Sequence, residues 1–411
     1  MLNLNDITLN KQLDNLNGNN SAMFYVSYGL DNTHTIQIFD SITKIGSEKW
    51  NAIRQPVLFY QSYDFLETIE RVQQDISFRY VLIIKEQQIM TAMYVQLLHF
   101  SYKNLVNYNT SASNRFVQSF KQYIAKKNTR LMNLGNVFFT GDRGIICNNE
   151  DEIIPFIPQV FKHIQQSFFK DKPSAFLVSN IYVKDELKCI HFLKSNFHPF
   201  VTEPDLFLQI KPEWTSFDDY QKALSSKYRV RAKKVLHVSA DIKQKELHLE
   251  EIIKHKLILA KLYDNVLNHV AFNMAVLKVD FFVEMKSLYK EKCCMFGYYL
   301  KDELIGFAFL FNVDKSTLHV HYIGMDYDVN QQYKLYNRLL LDFVRYAIKH
   351  QKQQIHFGRT ATEIKTTIGA KPQPLVAYLK MNNKLVNASL PYFLNRIKPV
   401  EYTVRSPFKE E

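Results

Sequence analysis

The sequence predicts a mixed α/β (α+β) fold made of two similar domains, each a mixed, mostly antiparallel sheet flanked by helices. Three observations carry this. At 411 residues the chain exceeds what a single hydrophobic core usually serves. Two stretches far apart repeat one pattern, apolar run, short polar turn, apolar run: RYVLIIKEQQIMTAMYVQ and CMFGYYLKDELIGFAFLF. Such a pattern reads as a β-hairpin, and its recurrence reads as duplication. From Tyr322 to Pro372 the chain then reads as strand end, helix, strand and polar loop. In α/β folds the crevice at such strand ends is where ligands bind.

Taken in order, residues 1–20 are polar and read as a flexible start rather than a signal peptide. AMFYVSYGL and TIQIFDSI read as strands. Pro56 opens a helix with Leu58, Phe65, Leu66 and Ile69 on its apolar side. The first hairpin follows, turning at Glu86-Gln87-Gln88, then the strand NVFFTGDRGIIC. A helix over IIPFIPQVFKHIQQSFFK, a strand SAFLVSNIYV, a helix near 185–196 and a strand DLFLQI complete the first domain, 21–211. Lys211-Pro212 reads as the boundary to the second domain, 212–411.

The second domain opens on a helix over 215–237, capped by Thr215 or Ser216, with Asp218 and Asp219 in its first turn. A long helix over LHLEEIIKHKLILAKLYDNVLNH and another at 277–290 follow. The second hairpin turns at Lys301-Asp302-Glu303. TLHVHYIGM reads as a third strand. Asp328 with Gln331 reads as a capping box opening the next helix. Tyr333, Tyr336, Leu340, Phe343 and Ala347 recur along that helix at core spacing. IHFG is the last strand, and VEYTVRSPFKEE reads as a polar tail that frays, leaving Arg405 and Lys409 for local contacts.

Composition narrows the function. Only 11 glycines occur, and none builds a Rossmann or P-loop phosphate loop. The net charge of +12 favours an anionic partner, although abundant lysine and asparagine also suit an ordinary lysine-rich protein. Cys147, Cys189, Cys293 and Cys294 lack metal-ligand spacing and read as reduced thiols. His319 and His321 alternate on one strand without a third ligand, so no metal site is expected. His356 reads as a core histidine. No apolar run reaches the ~18 residues of a membrane span.

The crevice after the third strand collects the candidate chemistry. Asp326 and Glu363 are candidate general bases, each with a plain structural alternative, a turn aspartate and a solvated helix face. Tyr336 is a candidate acid for a leaving group, or simply core. Asn330 and Tyr333 line the same region. Arg359 and Thr360 follow IHFG directly, where an arginine can clamp phosphate or carboxylate. Lys365 is a candidate phosphate or oxyanion partner. Lys222, Lys227, Arg229, Arg231, Lys233 and Lys234 make a basic helix, with Lys227, Arg231 and Lys234 on one side. That side reads either as a docking surface for tRNA, a carrier protein or anionic lipid, or as a solvated face.

The hairpin, third strand, helix and parallel strand resemble the core of the Gcn5-related N-acyltransferase (GNAT) superfamily. Three stretches, WNAIRQPVLFYQSYDFLETIE, SFDDYQKALSSKYRVRAKKV and YIGMDYDVNQQYKLYNRLLLDFVRYAIKH with IHFGRTATEIKTTIGAKP, are similar to its tandem, FemAB-like members of peptidoglycan biosynthesis or recognition type. The resemblance spans about residues 45–405. It implies a bacterial, cytoplasmic N-acyltransferase, peripheral to the inner face of the membrane, with no permanently bound cofactor. The donor would be acyl-CoA, an acyl carrier protein or aminoacyl-tRNA, and the acceptor an amine. Backbone N–H groups near Gly324 and Met325 would hold the oxyanion. Single-domain relatives wrap the coenzyme A pyrophosphate with a Q/R-x-x-G-x-G/A loop; DYDVNQQYKLYN has no glycine there. The resemblance thus leaves open a Fem-type aminoacyl-tRNA-dependent transferase acting on a cell-wall precursor, and a non-catalytic glycan- or lipid-binding protein of degenerate fold.

Overall fold

The computed structural model describes residues 25–31, 33–53, 58–100, 129–141, 143–147, 149, 153–167, 172–183, 190–270, 274–312, 314–395 and 401–409. The expected flexible start over 1–20, Pro56 and Cys189 lie outside these residues, and the helix expected to open at Pro56 is seen over Tyr63–Val72. The chain divides into two compact units. The first runs to Thr202 and takes up the stretch from Val376; the second runs from Glu203 to Leu375 and takes up the C-terminal residues.

This differs from the two contiguous domains expected with a boundary at Lys211-Pro212. That dipeptide follows the end of a strand whose second half already belongs to the second unit, pairing Leu208 with Ile355 and Gln209 with Gln354. Val376 and Tyr378, placed by sequence in the second domain, pack in the core of the first.

In the first unit the strands are β1 (Val26–Gly29), β2 (His34–Phe39), β3 (Ser77–Lys85), β4 (Gln88–Phe100), β5 (Thr129–Leu134), β6 (Ile145–Cys147) and β7 (Ala175–Tyr182). The helices between them include α1 (Ser47–Asn51), α2 (Tyr63–Val72) and α3 (Ile157–Ser167). Neighbours from β1 to β5 are antiparallel, and β5 pairs in parallel with β7. α2 buries Phe65, Leu66 and Ile69, as its spacing predicts. After β7 come α4 (Ile190–Lys194) and β8 (His198–Gln209).

The second unit continues with α5 (Phe217–Ala223), α6 (Ser226–Val238), β9 (Lys243–Leu247), α7 (Leu249–Lys254), α8 (Lys256–His269) and α9 (Asp280–Tyr289). Then follow β10 (Cys293–Leu300), β11 (Glu303–Phe311), β12 (Thr317–Met325), α10 (Tyr327–Tyr333), α11 (Leu335–Lys349), β13 (Gln354–Gly358) and α12 (Thr362–Thr366). β14 (Lys371–Met381) and α13 (Lys384–Leu394) are the last elements, and α13 belongs to the first unit. The strand order is β8-β13-β12-β11-β10-β9. Among these six strands only β12 and β13 run parallel.

The duplication is visible in detail. Both hairpins turn on two residues with positive φ, Glu86-Gln87 (48°, 67°) and Lys301-Asp302 (48°, 66°). Lys85 pairs with Gln88 and Leu300 with Glu303, so the third residue of each expected turn is already strand. Such geometry matches the right-handed twist of the flanking strands. Each unit then adds a strand, a helix and a parallel strand.

Several helices are shorter than the spacing suggests. The helix expected over 215–237 is two, α5 and α6, broken at Leu224-Ser225. Ser216 caps α5 and forms a capping box with Asp219. The break is occupied by the C-terminal segment: Ser225 N–H donates to the Pro407 carbonyl, and Phe408 packs on Trp214 with ring centroids 5.3 Å apart. The expected fraying of this tail is therefore corrected for residues 401–409, because an aromatic anchor holds it.

The helix after β12 is likewise two, and its cap is Asp326 rather than Asp328. β12 ends at Met325, and Asp326 N–H still bonds to the Ile305 carbonyl, which places the Asp326 side chain at the helix start. Lys334 interrupts the helix in the left-handed region (φ 56°).

One face of the second sheet, with Leu206, Leu208, Leu318, Val320, Ile355 and Phe357, packs against α6 and α11. Against the other face, Phe282 of α9 lies on Phe309, with centroids 4.9 Å apart. α8 crosses β12 so closely that a Cβ at Gly324 would lie 2.2 Å from the Phe307 ring and 2.8 Å from the Leu262 backbone. Gly324→Ala is thus expected to cost about 1–3 kcal/mol by overpacking, measurable by urea unfolding.

Candidate active site

β12 and β13 hold each other through only three register pairs, Thr317–Gln354, Leu318–Ile355 and His319–His356. Beyond them β12 stays with β11 as far as Met325, while β13 stays with β8. The two parallel strands therefore part, and a fork opens at their C-terminal ends. This is the crevice expected from the strand–helix–strand pattern.

The β13 arm of the fork turns back sharply. Gly358, Thr360 and Ala361 all have positive φ, at 64°, 66° and 48°. For β-branched Thr360 this backbone is strained and must be held by its surroundings. Lys365 supplies part of the hold: its ammonium donates to the carbonyls of Phe357 (2.9 Å) and Arg359 (2.6 Å). Lys365 is buried, and burial lowers its pKa to about 7, with Asp205 and Glu203 pulling the other way. An ammonium has three donors. Two are spent on the strand end.

Glu203, on β8, is partly buried, and desolvation raises its pKa against the pull of Arg359 and Lys365. A carboxyl whose pKa is raised by burial is a better proton acceptor than an ordinary carboxylate. Glu203 and Asp205 were not singled out from the sequence. The available signal was two acids at alternate positions in an otherwise apolar strand, TEPDLFLQI, which puts both on one face.

Of the sequence candidates, the structure brings Arg359 and Lys365 together with Glu203. Thr360 forms the strained turn between them. Glu363 points elsewhere: its carboxylate is about half exposed and accepts from the Arg405 guanidinium at both Nε and Nη2. Asp326 accepts from the N–H groups of Asp328 (2.9 Å) and Val329 (3.2 Å). Asn330 accepts from Tyr336 N–H at 2.8 Å, in the first turn of α11. These two side chains thus cap both helices that follow β12. Tyr333 and Tyr336 are partly buried and pack on the apolar core, and burial pushes the Tyr336 phenol up, making it a weaker acid. Met325, named with Gly324 as an oxyanion donor, is buried, and its carbonyl accepts from Asn265.

The basic helix is now α6. Lys227, Arg231, Lys233 and Lys234 are exposed. Among the described residues no carboxylate pairs with them, whereas Lys222 meets Asp219. Arg231 also borders an open groove of about 310 Å³, solvent included, with Tyr228, Asn337 and Thr367. Cys147, Cys293 and Cys294 are buried and unpaired in disulfides, and burial pushes the thiols of Cys293 and Cys294 up, away from a thiolate nucleophile. Among the described residues no His, Cys, Asp or Glu cluster is arranged to hold a metal, and no helix is long and apolar enough to cross a membrane.

No family model matches the sequence, and no curated protein does. The fold does match. FemX superposes with a TM-score of 0.51 at 10% identity, over 84% of this chain and 98% of that one. A tandem GNAT protein from the clavulanic acid biosynthesis pathway superposes with a TM-score of 0.50 at 7% identity, over 85% and 99%. At such identities the likeness is one of fold. The chain has the tandem GNAT, FemAB-like fold.

Proposed function

We propose that the protein transfers an activated acyl group to an amine at the fork of its second unit, and that the donor is an aminoacyl-tRNA. The observation that carries the reading is Lys365: a buried lysine, clamped by two carbonyls at a strand fork, with Glu203 and Arg359 acting on the same cluster. In this reading the acceptor amine attacks the donor carbonyl and loses its proton to Glu203. The remaining N–H of the Lys365 ammonium stabilises the oxyanion. When the tetrahedral intermediate collapses, Glu203 returns the proton to the leaving oxygen. Arg359 holds a phosphate or carboxylate of either substrate.

Two observations support the choice of donor. The helix starts after β12, where single-domain relatives would hold a coenzyme A pyrophosphate, are filled by Asp326 and Asn330. The exposed cations of α6 form a face suited to a polyanion. A cell-wall precursor amine is the acceptor that fits the Fem-type reading; acyl-CoA, carrier-bound donors and a non-catalytic binding role are its competitors.

The test compares transfer from radiolabelled aminoacyl-tRNA and from acyl-CoA, in the wild type and in a Lys227→Glu/Arg231→Glu/Lys234→Glu variant. Transfer from tRNA is expected, weakened in the variant. The slope of log affinity against log salt should flatten by about 2–3 units if three phosphate contacts are lost. Turnover from acyl-CoA alone, indifferent to the variant, would overturn the choice of donor. No transfer from any activated donor would leave the binding role.

A further inference from the structure

Lys365 sits on α12, a helix of only five residues. Such a helix has too few internal hydrogen bonds to hold itself, so its place is set by what packs on it. On its inner side Lys365 clamps the strand end. The segment 401–409 fastens it a second time, at two points.

The first fastening is at Arg405. Its backbone N–H donates to the Thr366 hydroxyl at 3.1 Å, and its guanidinium holds the Glu363 carboxylate. Thr366 has no exposed surface, and its hydroxyl donates in turn to the Glu363 carbonyl at 2.8 Å. Glu363 and Thr366 flank Lys365 on α12, so Arg405 grips the turn that carries the lysine. The second fastening is at Phe408. Its neighbours bond to the break between α5 and α6: Ser225 N–H donates to the Pro407 carbonyl (2.9 Å) and Lys409 N–H to the Ala223 carbonyl (3.1 Å). The ring packs on Trp214 and Tyr220, with centroids 5.3 and 6.1 Å away. It also lies against Gly369, three residues beyond α12, where a Cβ would come within 2.3 Å of the ring. Tyr220 holds the same turn from the core by donating to the Ile368 carbonyl at 3.0 Å. Between the fastenings, Pro407 is buried; a proline fixes its own φ and keeps the residue before it extended. The segment is thus short and stiff, and slack at one end is felt at the other.

We infer that residues 405–408 are a strap across the outer side of α12, and that Phe408 is a positioning residue which holds Lys365 at the fork. The positioning of a catalytic group rests on the transfer reading above; the strap itself does not. With the ring seated, α12 is held between the fork and the strap. With the ring out, Gly369 and the turn before it lose their outer cover, and water reaches the Lys365 ammonium.

The first experiment needs no variant: native-state hydrogen exchange of the full chain in low urea. The amides of Lys365, Thr367, Ile368, Gly369 and Ala370 bond within the α12 turn, and those of Arg405 and Lys409 bond the strap. The two sets are expected to lose protection together, as one opening unit below global unfolding. Release of the strap amides alone, with α12 protected up to global unfolding, would overturn the proposal. The second experiment is Phe408→Ala. Residues 365–370 are expected to lose protection about tenfold or more. The Lys365 midpoint, read by ¹³Cε titration of labelled lysine, should rise toward the ordinary lysine value, because the burial that lowers it is relieved. In a folded variant, wild-type protection over 365–370 or an unmoved midpoint would show that Phe408 anchors only the tail. Should Phe408→Ala not fold, the exchange pattern of the wild type decides by itself. Neither readout needs a substrate, so the failure of the transfer reading is seen separately, in the donor assay.

Discussion

Lys365→Met is expected to lower transfer about 10²–10³-fold, the usual loss when one oxyanion donor is removed. The same substitution should change how stability depends on pH, and that effect is independent of any substrate. The folded pKa of Lys365 is lowered from 10.5 to about 7. Between those values the unfolded chain keeps the proton and the native protein releases it. Stability rises with pH wherever the unfolded state binds more protons. The burial cost of Lys365 is thus fully present below about pH 7 and is relieved as pH rises toward 10.5. The slope contributed by one proton is about 1.4 kcal/mol per pH unit. Urea unfolding of the wild type and Lys365→Met between pH 6 and about 9 should show a difference that tilts in favour of the wild type with rising pH. The offset between the two curves also contains the lost bonds to Phe357 and Arg359, at about 1–3 kcal/mol for each carbonyl left unpaired, so only the tilt reports the titration. Parallel curves would mean that Lys365 stays an ammonium throughout, and its role would then be the clamp alone.

The legible and illegible parts of this chain divide by sequence distance. Both hairpins were readable because apolar β-rich runs flank a short polar turn, although two non-glycine residues with positive φ make turns shorter than they look. The fork was readable because strand, helix and strand follow one another. Lys365 reads as an oxyanion or phosphate partner from its place after IHFG, yet its burial, and the action of Asp205 and Glu203 of β8 on it, cannot be seen locally. Glu203 and Asp205 were missed for the same reason: they reach the fork because β8 pairs with β13, a contact between distant segments. Glu363 looked free because its partner, Arg405, sits in a tail with no sequence signal of order, anchored through Phe408. Asp326 and Asp328 are chemically equal as caps; the end of β12 at Met325 decides between them. The break at Lys334 has neither glycine nor proline to announce it. The return of Val376 and Tyr378 to the first core is likewise a tertiary choice.

Asp342→Ala is expected to destabilise the second unit by about 3–5 kcal/mol, the cost of breaking a buried ion pair from one side. Asp342 sits on the core side of α11, and its side chain is 1% exposed. It meets Arg338 Nε at 2.9 Å and Arg345 Nη1 at 2.8 Å. Burial raises its pKa, and the two guanidiniums oppose that rise. Arg338 is the half of the triad that cannot leave. Its Nη1 also donates to the Ser239 carbonyl (3.0 Å) and hydroxyl (3.1 Å), which fixes it at the end of α6. Without Asp342 a largely buried guanidinium loses its counter-charge. Arg345 is more exposed and lies over the Phe217 ring at 4.5 Å, so it can turn to water. Arg345→Ala should therefore cost only about 1 kcal/mol, as for a solvent-screened pair. The asymmetry is the test. Equal losses for Asp342→Ala and Arg345→Ala in urea unfolding would mean that the triad is solvated and that apolar packing alone fixes α11. A large loss confined to Asp342→Ala would make this carboxylate the fastening between α6 and the helix that joins the two arms of the fork. In that case the variant should also lower transfer at temperatures where it remains folded, because the spacing of the fork depends on where α11 is held.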